Sequence, residues 1–112
     1  MATNTFKRYF AKNVGTTQTN VGTAIPTGTQ ATIIGLSVCN VADAQVQVDI
    51  GVKITDGTVY YIVKNAPLLI GSTLVAVGGD QKIVLQAGDQ IVVKSTNDLS
   101  LDVIVSVLEI AG

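Results

Sequence analysis

The residues that could do chemistry in this chain are eight carboxylates and one thiol, with no histidine to serve them. The carboxylates are Asp43, Asp49, Asp56, Asp80, Asp89, Asp98, Asp102 and Glu109. Two of them facing each other across a cleft could support acid–base hydrolysis. Most, however, stand in turn sequences such as Asp56-Gly57, Ala87-Gly88-Asp89 and Thr96-Asn97-Asp98, where an Asp side chain bonds nearby backbone amides. Calcium coordination by Asp80, Asp89 or Asp98 would need oxygen ligands at alternate positions of one loop, and no such loop is written here. Cys39 ends the apolar run Ile33-Ile34-Gly35-Leu36-Ser37-Val38 and has no histidine to activate it, so it is expected to be a reduced, mostly buried, small apolar residue. Without His or a second Cys, the usual zinc ligand sets and an intrachain disulfide are excluded. Gly78-Gly79-Asp80 is followed by neither a helix start nor a Lys-Ser/Thr pair, and therefore predicts a turn rather than a phosphate loop. No catalytic, cofactor-binding or metal-binding residue is assigned, no cofactor is expected, and the chain is not expected to be an enzyme.

The elements that must position these residues are read from periodicity. At 112 residues the chain is long enough for one core, and residues 1–112 are taken as a single domain. Gln45 to Ile54 alternates almost without flaw, with Val46, Val48, Ile50, Val52 and Ile54 on one row, which predicts a half-buried strand. Asp56-Gly57 suits a two-residue type I′ hairpin, with Thr58 to Lys64 returning so that Ile50 faces Val63, Lys53 faces Tyr60 and Asp49 faces Lys64. Strand patterns recur at Thr5–Ala11, Asn20–Ile25, Gln30–Val38, Thr73–Val77, Lys82–Leu85, Gln90–Lys94 and Leu99–Ile110, separated by Gly, Pro, Asn and Asp turns. No segment carries a capped helical stripe. The fold expected is all-β, an antiparallel two-sheet sandwich of jelly-roll type, with an immunoglobulin-like sandwich as the alternative.

Charged residues are only 13% of the chain, against about 25% in ordinary soluble domains, and the net charge is −1. Without a basic face, nucleic acid is not an expected partner. The apolar stretch Ala66–Val77 is broken by Gly71-Ser72-Thr73 and is too short to span a membrane, and three Tyr, two Phe and no Trp are few for the girdles of a membrane barrel. Basic Met1–Lys12 is followed by no signal-peptide core, so synthesis in the cytoplasm without secretion is expected.

Partner contacts are the chemistry that remains. Lys7, Arg8 and Lys12 interleave with Phe6, Tyr9 and Phe10, while the other cations number four against eight acids. Residues 1–12 therefore form either an arm that docks on the acidic body of a neighbour, or an ordinary first strand whose Phe6 and Phe10 enter its own core. The uncharged stretch Asn13–Ala42 reads either as an exposed edge strand and loop or as a neutral surface against another subunit. In the last strand Leu99, Leu101, Val103, Val105 and Val107 make an inward row. The outward row, Ser100, Asp102, Ile104, Ser106, Leu108 and Ile110, turns apolar toward its end, where Ile62 could join it. A bulge near Ser106 would instead bury Leu108 and Ile110. The candidate interface residues are thus Phe6, Lys7, Arg8, Tyr9, Phe10, Ile62, Ile104, Leu108 and Ile110.

Phe6-Lys7-Arg8-Tyr9, Ile34-Gly35-Leu36-Ser37-Val38, Ile62-Val63-Lys64-Asn65-Ala66-Pro67, Gly78 through Asp89 and Val103 to Glu109 together resemble a family of small tailed-bacteriophage virion proteins. The resemblance spans most of the chain and lies in strand-and-turn patterns. It implies a homo-oligomeric structural protein of the virion. A capsid decoration (cement) protein comes first and a neck, collar or tail component second, with the major capsid protein or neck and tail proteins as partners. It transfers no site residues. The competing class is a receptor- or glycan-binding module, for which exposed aromatic platforms would be expected and few aromatics exist.

Overall fold

A computed structural model describes residues 3–78 and 82–111. The turn expected at Gly78-Gly79-Asp80, and Asp80 as a candidate ligand, lie largely outside those residues. Nine strands occur among the described residues: β1 (Thr3–Val14), β2 (Thr19–Val21), β3 (Thr29–Asn40), β4 (Val46–Lys53), β5 (Val59–Leu68), β6 (Thr73–Val77), β7 (Ile83–Leu85), β8 (Gln90–Ser95) and β9 (Leu101–Ala111). All pairings are antiparallel. One sheet runs β1-β9-β3-β6, with β7 also on β3, and the other runs β2-β8-β4-β5. If β6 and β7 count as one interrupted strand, each sheet has four strands and the chain changes sheet at every connection but the β4–β5 hairpin, which is the jelly roll.

Alternation puts the apolar rows between the sheets. Leu101, Val103, Val105 and Val107 of β9 meet Val46, Val48 and Ile50 of β4 and Ile91 and Val93 of β8 in one buried cluster. The core is aliphatic; the partly buried ring packed against it is Tyr9. β3 holds both of its inward segments, Ala31–Ile33 and Leu36–Val38, only because a register shift at Ile34 changes its parity. The bulge therefore falls on β3, and β9 keeps its alternation through Ser106 to Ile110. As an inner strand between β9 and β6, β3 is not the exposed edge considered for Asn13–Ala42.

Three sequence expectations are corrected. The β4–β5 loop is Thr55-Asp56-Gly57, closed by the Gly57 amide on the Ile54 carbonyl (3.0 Å) and the Ile54 amide on the Thr58 carbonyl (2.9 Å). Gly57 takes φ 92°, so the extra residue is absorbed as a glycine bulge. Lys53 then pairs with Val59 and Gly51 with Tyr61; Ile50 still faces Val63, because a second irregularity restores that pair. A third, at Lys64-Asn65, leaves Asn65 at φ 53° with its amide on Asp49 Oδ1 (2.8 Å), and Lys64 still reaches Asp49 at 3.1 Å. Cys39 is half-buried rather than core, since Val38 and Asn40 on either side take the inward positions. Phe6 and Phe10 lie on a paired first strand but outside the core, 75% and 60% exposed.

Candidate interaction surface

The residues of β1 divide by parity. Phe6, Arg8 and Phe10 pair with Leu108, Ser106 and Ile104 of β9, and these in turn with Thr32, Gly35 and Ser37 of β3. Val84 of β7 continues the first row and Val75 of β6 the last, both exposed. The outer face of this sheet thus carries two apolar ridges, Phe6–Leu108–Thr32–Val84 and Phe10–Ile104–Ser37–Val75. Between them runs a low line of Ser106 and Gly35, over which a side chain on Gly35 would meet nothing within 4 Å. Arg8 closes the β1 end of that trough, its guanidinium carbon 5.2 Å from the centre of the Phe10 ring. It makes no ion pair among the described residues.

The other cations of β1 are engaged. Lys12 Nζ lies 2.7 Å from Asp102 Oδ2, and this hydrogen bond holds the Asp102 carboxyl below its ordinary range. Lys7 and Tyr9 point to the inner side, where Glu109 is buried: the Tyr9 hydroxyl donates to Oε2 at 2.7 Å and Lys7 Nζ lies 3.1 Å from Oε1. The hydrogen bond to Glu109 raises the Lys7 pKa, and burial, followed by the same carboxylate, raises that of Tyr9. These two residues clamp β1 onto β9 and are not on the outer face.

Of the candidate interface residues, the structure brings Phe6, Arg8, Phe10, Ile104, Leu108 and Ile110 onto one face. Ile62 is corrected: it lies on β5 of the other sheet, half-buried against the core. Val75 and Val84 were missed, because strands as short as β6 and β7 offer too few alternations to assign a side. The opposite outer face is polar, with Asp49, Lys64 and Tyr61 gathered there; Lys64 Nζ lies 4.4 Å from the centre of the Tyr61 ring.

A second apolar feature lies at the end of the sandwich where β3 and β5 finish and β9 begins. Asn40 is buried there and organises two loops: its Nδ2 donates to the Ala44 (2.9 Å) and Leu68 (3.0 Å) carbonyls, and its Oδ1 accepts from the Ala42 amide (2.9 Å). The Val41 amide donates to the Ser100 carbonyl at 2.8 Å, bringing the segment before β9 alongside. Val41, Leu69, Ile70 and Leu99 are all exposed on this tip, together with Asp43. Loop positions have no periodicity, so nothing in the sequence groups these four.

Among the described residues no group of three or more His, Cys, Asp or Glu converges as a metal site, and no helix is long and apolar enough to cross a membrane.

Neither a protein-family model nor a curated protein matches the chain. Solved structures match over nearly its whole length. One is from Bacillus endospore appendages, described as a novel family of disulfide-linked pili, at 11% identity and TM-score 0.53, covering 99% of this chain and 89% of that one. Another is the infectious bursal disease virus VP2 subviral particle, at 9% identity and TM-score 0.54, covering 98% of this chain and 37% of that one. A third, infectious bursal disease virus Gx strain, matches at 10% identity and TM-score 0.50, covering 99% of this chain and 36% of that one. This chain spans little more than a third of the two viral chains. At such identities the likeness is one of fold, shared with chains of a pilus and of viral particles.

Proposed function

We propose that this chain is a non-enzymatic structural protein of a virion, and within that role a capsid decoration (cement) protein that stabilises the head through contacts with the major capsid protein and with its own copies. The observation that carries the reading is the outer face of the β1-β9-β3-β6 sheet, where Phe6, Phe10, Ile104 and Ile110 stand exposed side by side. Contiguous exposed apolar surface on this scale marks a partner site rather than a solvent face. The fold shared with pilus and viral-particle chains supports the same role, and the resemblance to small tailed-bacteriophage proteins favours a phage virion, with the head ahead of the neck or tail.

The test is copy number and position. Particles purified from the source should contain the chain stoichiometrically, and imaging should place it on the head; density on the neck or tail would move the assignment there, and absence from particles would overturn it. A chain carrying Ile104→Lys and Leu108→Lys should fold yet fail to join particles, because two ammonium groups cannot be desolvated in that contact without partners. Wild-type incorporation of this variant would remove the face from the interface. Specific binding on a glycan array would favour a receptor-binding module.

A further inference from the structure

The apolar face and the apolar tip carry complementary charges, Arg8 on one and Asp43 on the other. Arg8 stands between the two ridges of the face, across from Ser106 and against the Phe10 ring, and pairs with no carboxylate among the described residues. Asp43 stands exposed on the tip, with no hydrogen-bond or ion-pair partner among the described residues. Each charge shares its surface with exposed apolar residues, Phe6 and Ile104 on the face, Leu69 and Ile70 on the tip. An unpaired charge in an apolar setting is costly to bury unless the partner surface brings the opposite charge to it.

We infer that copies of this chain associate head to face, the Val41–Leu69–Ile70 tip of one copy seating in the trough of the next so that Asp43 meets Arg8. This rests on the reading of the chain as an assembly subunit and names its partner. A face-to-face pair of the same sheets is the competing arrangement. It fails on charge, because the acid on that face, Asp102, is already held by Lys12 at 2.7 Å, and among the described residues the same face of the second copy offers Arg8 no free carboxylate. The other exposed turn acids among the described residues also fit less well: Asp56 is engaged by the Thr58 amide at 2.8 Å and is flanked by Thr55 and Gly57 rather than by aliphatic residues, and Asp98 already accepts from the Thr16 hydroxyl at 3.0 Å and amide at 3.4 Å. Joining two different patches is a heterologous contact. Each added copy leaves one free tip and one free face, so association continues past the dimer and closes as a ring or extends as a filament.

Sedimentation velocity on the full chain, from micromolar up to about 1 mM, should show species beyond a dimer. Arg8→Glu and Asp43→Lys should each weaken association by roughly tenfold or more, and mixing the two variants should restore it, because each then supplies the charge the other lacks. Ile104→Lys, which spoils the face, and Ile70→Lys, which spoils the tip, should each be monomeric. Their mixture should stop at a one-to-one dimer, since only one good face and one good tip remain. Recovery on mixing also shows that the variants are folded. A wild-type chain that stays monomeric, growth that ends at a dimer, or mixtures that fail to recover would each overturn the head-to-face contact. Particle incorporation is read separately: a monomeric chain found stoichiometrically in particles would overturn this contact and leave the structural role standing. A self-associating chain absent from particles would do the reverse.

Discussion

Glu109 is buried and takes both of its partners from one neighbouring strand, so it ties β1 to the body. Tyr9→Phe removes the hydroxyl donor while leaving the ring against Gly22, and should lower stability by roughly 1–2 kcal/mol in urea unfolding, the range for a hydrogen bond to a charged acceptor that keeps another partner. An unchanged midpoint would mean that Lys7 alone satisfies the carboxylate. The titrating residues also give a pH profile with a definite sign. The Asp102 and Asp56 carboxyls are held below their ordinary range, by Lys12 and by the Thr58 amide respectively, so their contribution is present above the unfolded carboxylate pKa and is lost as pH falls through the lower folded values. Lys7 and Lys64 are raised by Glu109 and Asp49, so theirs is present below the unfolded lysine pKa and is lost as pH rises through the higher folded values. Thermal midpoints should therefore decline on both sides of a neutral plateau, and Asp102→Asn should flatten the acid side. The partnerships of Glu109 and Asp102 were not legible in the sequence, since residues about a hundred positions apart are paired only by the sheet order, whereas Asp49 with Lys64 and Asp56 on its own turn were.

The strands themselves were legible because β-branched alternation bounded by turn residues is a local signal. β6 was read with its observed bounds, and β1, β3 and β9 within three residues at either end. What periodicity does not carry is an inserted residue. Each irregularity in β4–β5 changes facing by one, and for the first and third the cause is a backbone conformation, at Gly57 and Asn65, rather than a side-chain pattern. The side taken by Phe6 and Phe10 was unreadable for a related reason. Both rows of β1 mix apolar with charged residues, so pairing with β9 decides which row turns inward. Gly51 shows how closely β4 and β5 approach: a Cβ there would lie 2.6 Å from Val59 Cγ1 and 2.9 Å from the Tyr60 carbonyl oxygen. Gly51→Ala should then cost about 1–3 kcal/mol and speed amide exchange along β5 before the rest of the sheet. Asn40→Ala should strand the backbone groups of the tip loops at about 1–3 kcal/mol for each one left without water. It should also weaken self-association, measured beside the wild-type chain, because those loops carry Leu69 and Ile70.

For the whole molecule the pairing of β1 with β9 joins Thr3 to Ala111, and no hairpin brings these strands together. Most of the stabilising ladder thus closes large loops, and refolding followed by stopped flow should take milliseconds to seconds, the range of sandwiches dominated by non-local pairs. A microsecond phase carrying the full amplitude would contradict this. The same pairing determines how the subunit would bear load. With Thr3 and Ala111 side by side at one end of an antiparallel ladder, a force applied between them pulls across the hydrogen bonds one pair at a time, like opening a zipper. A force entering at the tip and leaving through the outer face has no such seam to open. It must instead shear β9 and β3 along a register of ten paired residues beyond the first, all loaded together. A chain of copies joined tip to face would therefore be mechanically strong along its own axis and weak only to a pull on its two ends, which that arrangement leaves slack.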